Sequence, residues 1–174
     1  MNKLLFLLVS LLIFASCNEQ EELFELTYEV DVVYNSTQNQ FEAHFQDIFG
    51  IQTMIESFRV ANNITEDQIK SIVPKEAQLV NILTDQGLDF IQFISIRVFD
   101  GSAFDPSDVT NVSEIFFRDN VPQDQRTFIN LLPALPDVQD RLMEDQFNIS
   151  IRSELRFPPP GTIEARLRIT FVAQ

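Results

Sequence analysis

Chemistry at neutral pH needs a nucleophile, a proton carrier or a set of metal ligands, and this chain supplies few of the usual side chains. Its 174 residues include one histidine, His44, and one cysteine, Cys17. Any imidazole-based acid–base scheme would have to use His44. That residue stands beside Ala43, between Phe41 and Phe45, with no acidic or histidine motif around it. Those two counts exclude multi-histidine metal centres, cysteine-based zinc sites and disulfides within the chain. No Gly-x-Ser-x-Gly elbow occurs, and with four glycines in all no phosphate-cradling loop is formed. Paired carboxylates hydrolyse glycosides without histidine. With 26 acidic residues, however, some pair falls at a suitable separation by chance, so acid density carries no argument. The sequence points to no catalytic residue, no cofactor and no enzyme.

One loop has the donors for a hard cation. Asp100-Gly101-Ser102-Ala103-Phe104-Asp105-Pro106-Ser107-Asp108 offers carboxylates and hydroxyls, oxygen ligands suited to calcium. Its spacing departs from the EF-hand pattern, and Asp, Ser, Pro and Gly are also what loops are made of. Asp100, Asp105 and Asp108 are therefore calcium candidates by composition only, and no metal site is assigned. The aromatic inventory is 17 Phe and two Tyr (Tyr28 and Tyr34), without Trp. Glycan platforms and protein hot spots favour Trp and Tyr, so these phenylalanines read first as core. A net charge of −14 argues against nucleic acid, which needs clustered Lys and Arg. The charge is uneven. Residues 17–145 carry 7 basic and 24 acidic groups, whereas residues 146–174 carry Arg152, Arg156, Arg166 and Arg168 against Glu154 and Glu164. Such a face either receives an acidic partner or is paired internally with acidic strands, the commoner case.

The lone cysteine is distinguished by where it falls. Lys3 gives a short positive start, and Leu4 to Phe14 is an apolar run of 11 residues interrupted only by Ser10. About 20 apolar residues are needed to span a bilayer, so this run suits a signal-peptide core instead. Ala15-Ser16 and then Cys17 follow. Phe14-Ala15-Ser16-Cys17 resembles the lipobox of bacterial lipoproteins, with Phe14 where that class usually carries an aliphatic residue. The resemblance implies that residues 1–16 are removed and that the Cys17 thiol is lipidated. It further implies a protein held at the bacterial cell envelope, on the outer membrane, through a covalent lipid. Two or more acyl chains hold stably where a single chain binds marginally. Two other readings of the residues stand beside it: secretion after cleavage at a small-x-small site, and a cysteine that is only an unreactive apolar residue.

Residues 17–22 form an acidic tether, with Glu19, Glu21 and Glu22 and no base. The stretch is similar to the tag after the cysteine in Bacteroidetes-type lipoproteins sent to the outer leaflet, at the cell surface. It reads equally as a solvated linker, repelled by an anionic lipid surface.

Residues 23–174 read as one β-sandwich domain. Phe24, Leu26, Tyr28, Val30, Val32 and Tyr34 alternate with polar residues as a half-buried strand does. Phe41, Phe45, Ile48 and Phe49 fall at helical spacing and predict a turn or two of helix, followed by a strand over 54–60. Thr65 and Gln68 fit a capping box, opening a short helix that Ile69, Ile72 and Val73 extend and Pro74 stops. Strands are predicted over 77–83, 88–99, 113–118 and 127–132, with the doubly apolar 88–99 central, and a small helix over 137–145. The C-terminal part predicts a hairpin around Pro158-Pro159-Pro160-Gly161, with Phe157 facing Ile163, Arg156 facing Glu164 and Glu154 facing Arg166.

The expected fold is mainly β, a two-layer antiparallel β-sandwich, immunoglobulin-like or related, with two or three short helices. The Cys…Trp…Cys marks of a true immunoglobulin domain are absent, which leaves topology open. The expected role is a non-enzymatic interaction or structural module tethered through Cys17, with the membrane and an envelope protein as partners. The alternatives are a surface lipoprotein binding a small ligand or glycan, and a carboxylate-dependent hydrolase.

Overall fold

The computed structural model describes residues 21–82, 86–101, 104–105, 107, 111–124 and 127–174. Cys17 and Asp108 lie outside these described residues. In chain order the elements are β1 (Phe24–Tyr34), β2 (His44–Gln52), α1 (Ile55–Asn62), a 3-10 turn (Glu66–Gln68), β3 (Ile72–Asn81) and β4 (Ile91–Phe99). Then come β5 (Val112–Arg118), β6 (Phe128–Pro133), α2 (Gln139–Leu142), β7 (Gln146–Leu155) and β8 (Ile163–Ala173).

The alternation in β1 does what it predicts: Leu26, Tyr28, Val32 and Tyr34 are buried, and Glu25, Thr27, Glu29 and Asp31 face out. The same inward period in β8 and β7 buries Ile163, Ala165, Leu167, Ile169 and Phe171 against Phe147, Ile149, Ile151 and Leu155. Each fully buried side chain of this size contributes about 1.5–3 kcal/mol. Phe171 lies near the centre, its ring 6.0 Å from Tyr28 and 6.3 Å from both Phe116 and Phe147.

All strand pairs are antiparallel, in the order β1-β8-β3-β6-β5-β4-β7-β2. β1-β8-β3-β6 makes one layer and β5-β4-β7-β2 the other. They are joined at the narrow seam Phe116↔Pro133 and Phe117↔Leu132. β4 and β5 alone form a hairpin within one layer, and the other links pass from layer to layer. The protein is thus a two-layer antiparallel β-sandwich, and its strand order is that of a jelly roll rather than of the immunoglobulin sheets. As predicted, β4 is central, between β5 and β7.

Three sequence expectations are corrected. Residues 44–52 are a strand and 55–62 a helix, the reverse of the prediction. Phe45 and Phe49 are four apart, which is helical spacing but also an even number, so both lie on the outer face of β2. The capping residues do meet, with the Thr65 amide donating to Gln68 Oε1 at 2.7 Å. Only one 3-10 turn follows, however, because Ile72 and Pro74 are taken into β3. Pro74 is accommodated where the register of β3 shifts, between Pro74 and Glu76, as a residue without an N–H requires. Finally, β7 and β8 form no hairpin. β7 pairs with β2 and β4, and β8 with β1 and β3. The proline-rich link carries the chain across the core, so the two apolar faces meet through their side chains instead of their backbones.

Candidate functional site

The strand registers give the sandwich two poles. The start of β1, the end of β8, α1, the 3-10 turn, α2, Asp100 and Asn111 share one. Residues 35–43, 86–90, 119–124 and 156–162 share the other. Residues 21–23 are at the first, which therefore lies close in sequence to Cys17. There the Leu23 amide donates to the Ala173 carbonyl at 2.8 Å. Lys75 reaches Glu22 at 2.8 Å and Glu25 at 2.7 Å. These two carboxylates hold the Lys75 ammonium above its ordinary pKa.

β2 enters α1 through a sharp turn at this pole. Thr53 is buried; its hydroxyl donates to the Glu144 carbonyl at 2.7 Å and its amide to the Asp145 carbonyl at 3.1 Å. Its own carbonyl accepts the Tyr28 hydroxyl, and burial holds that phenol above its usual pKa. Met54 then adopts φ 58°, a left-handed conformation costly for a residue with a Cβ, and projects into solvent. These hydrogen bonds of Thr53 fix that turn.

Of the calcium candidates, Asp100 and Asp105 are among the described residues and Asp108 is not. Asp100 receives Arg141 Nε at 3.1 Å, and Arg141 Nη1 also donates to Ser113 Oγ at 2.9 Å. Asp105 accepts the amide and the hydroxyl of Ser107, at 2.9 and 2.6 Å. Among the described residues no group of three or more His, Cys, Asp or Glu is placed to hold a metal ion. His44 opens β2, its Nε2 2.7 Å from the Asn39 carbonyl, and so braces the 35–43 link. The described side chains that are polar and buried all carry hydroxyls: Thr53, Ser95, Ser150, Ser153 and Thr170. The described hollows are shallow. One of about 250 Å³ runs over Gln78, Asn130, Arg168 and Thr170, and another of about 410 Å³ lies by Glu56, Glu66, Glu144 and Asp145.

The two outer sheet faces differ. On the β1-β8-β3-β6 face, Arg166 meets Asp31 at 3.0 Å and Arg168 meets Glu29 at 2.6 Å, directly across the β1–β8 ladder. Asp31, and beside it Glu29, keeps Arg166 protonated beyond its ordinary range. Gln78 Nε2 donates to Asn130 Oδ1 at 2.8 Å. The arginines of β8 are thus paired internally.

On the β5-β4-β7-β2 face the rings of Phe45, Phe104, Phe99 and Phe49 form a chain with centroids 5.4–5.7 Å apart. Arg152 lies 5.3 Å from the Phe93 ring centroid, a cation–π distance. Ser95 and Ser150 point outward yet are only 0% and 1% exposed, roofed by these larger neighbours. Ser95 Oγ, Ser150 Oγ and Arg152 Nε have no hydrogen-bond partner among the described residues. This face went unread in the sequence, because Phe45 and Phe49 resembled a helical stripe.

No helix among the described residues is long and apolar enough to cross a membrane. No family model matches the chain, and no curated protein matches it. Among solved structures it is similar to a chain of turnip yellow mosaic virus, at 12% identity over 86% of this chain and 91% of that one, TM-score 0.32. It is also similar to the decameric BFDV capsid protein, at 13% identity over 87% of this chain and 98% of that one, TM-score 0.32. Likenesses at these scores add nothing to what the strand order itself shows.

Proposed function

We propose that this jelly-roll sandwich is a non-enzymatic module of the bacterial cell envelope, anchored on the outer membrane by lipid on Cys17. The observation that carries the reading is polarity. Described chain begins at one pole, and Glu22 is tied there to Lys75, five residues after Cys17. Five residues span roughly 17 Å at full extension. A lipid on Cys17 would therefore keep that pole beside the bilayer and turn residues 35–43, 86–90, 119–124 and 156–162 away from it. Two or more acyl chains make such an anchor stable. The open shape of the hollows among the described residues supports a tethering role over small-ligand capture. The partner in this reading is another envelope protein.

Intact mass with membrane fractionation tests it, comparing wild type with Cys17→Ala. The expected outcome is a diacyl or triacyl mass on membrane-bound wild type, lost together with membrane retention in the variant. Soluble wild-type protein without lipid would end the proposal.

A further inference from the structure

The helix at the anchored pole has an unusual outer side. α1 carries two charged residues, Glu56 and Arg59, which pair with each other at 2.7 Å. Ile55 is its buried residue. At 3.6 residues per turn, Ser57, Val60 and Ala61 fall on the arc opposite Ile55, and Phe58 flanks it. None of these is charged, in a chain of net charge −14. Val60 is 68% exposed, Phe58 38% and Met54, at the helix start, 58%. The strained φ of Met54 keeps its thioether outside rather than in the core.

The same helix is fixed to the chain's entry point. Phe58 stacks on Phe24, the first residue of β1, at 6.1 Å. Phe24 is seven residues after Cys17, so extended chain reaches no further than about 25 Å between them. We propose that α1 rests on the lipid surface, with Met54, Phe58 and Val60 at the boundary of headgroups and acyl chains; this rests on the lipidation of Cys17 proposed above. Amphipathic helices lie in that boundary on their less polar side, and here that side is the uncharged sector from Val60 through Ser57 and Ala61 to Phe58. Glu56, Glu66, Asp67, Glu144 and Asp145 ring the same pole, so the surface is suited to zwitterionic lipid, since anionic lipid repels these acids.

The chain has no Trp, so one introduced Trp reports alone. Lipidated full-length protein carrying Phe58→Trp is reconstituted on phosphatidylcholine vesicles with brominated acyl chains. Val60→Trp repeats the reading at a site with less packing to disturb, and Phe41→Trp, at an 85% exposed position on the far pole, is the reference. The expected result is a blue-shifted emission that bromine largely quenches for Phe58→Trp and Val60→Trp, and unquenched emission for Phe41→Trp. Adding Met54→Glu should abolish the quenching. Unquenched emission at positions 58 and 60 in protein whose mass shows the lipid would overturn the helix contact and leave the anchor standing. Absence of lipid on Cys17 would overturn both.

Discussion

Across β1, β8, β3 and β6 one outward row reads Glu29, Arg168, Gln78, Asn130, whereas across β5, β4, β7 and β2 one reads Phe117, Ser95, Arg152, Phe45. In the first row each polar group has its partner on the neighbouring strand, and water reaches all of them. In the second, a serine is flanked by side chains several times its size, which close over it. The same alternation that builds both inner faces thus leaves one outer face solvated and gives the other a partial third layer of aromatic rings. Contacts on the first face are individually cheap to lose. The second holds polar atoms cut off from solvent, which is costly.

Four measurements would break or sharpen this contrast. The largest effect belongs to the interior that both faces share. Burial pushes the Tyr34 phenol up to about 12 from the ordinary 10.0, although the Ser153 hydroxyl 3.0 Å away lowers it. The folded-state pKa exceeds the unfolded one, so this stability is whole below pH 10 and drains as pH rises toward about 12. Urea unfolding at successive pH values should show an alkaline loss of which Tyr34 carries about 2 kcal/mol over that window. The buried Tyr28 phenol adds its own share, and Tyr34→Phe should remove the first. A profile unchanged by the substitution would place the alkaline loss elsewhere.

Phe45→Ser comes next. Phe45 is 43% exposed, and stripping a half-buried ring costs about 1–2 kcal/mol. A loss near zero would mean that the aromatic layer is merely solvated surface. Ser150→Ala should act the other way, since the substitution removes an unpartnered buried hydroxyl. A gain of about 1 kcal/mol in urea is expected, and a loss of similar size would show that the hydroxyl is satisfied. Smallest is Arg168→Ala on the solvated face, where an exposed pair is worth a few tenths of a kcal/mol. That difference should vanish in high salt; persistence would show a drier face than the ion pairs suggest.

Much of the architecture is legible wherever a strand has one wet face. β1 is spelled out by Leu26, Tyr28, Val32 and Tyr34, and β4 shows its central place by being apolar on both sides. Legibility fails where outward residues are apolar. Phe45 and Phe49 suit two periods at once, and only burial, which a sequence does not display, decides between them. It fails again for pairing. Arg166 matches Glu154 in a plausible hairpin, but its real partner is Asp31, 135 residues away. The aromatic face was hidden for the first reason. The calcium loop was composed as a site might be, yet Asp100 answers to Arg141, a partner that no local spacing announces.

The place of β8 has a consequence for how the protein is made. β8, the last strand of the sandwich in chain order, lies between β1 and β3, pairing with the first along Phe24–Tyr34 and with the third along Ile72–Asn81. Until Ile163–Ala173 is available, β1 has no neighbour in its sheet and β3 has only β6. Contacts this distant in sequence are slow to form. The β1-β8-β3-β6 layer therefore cannot close from its earlier strands alone, and the sandwich stays open for as long as it takes to deliver β8.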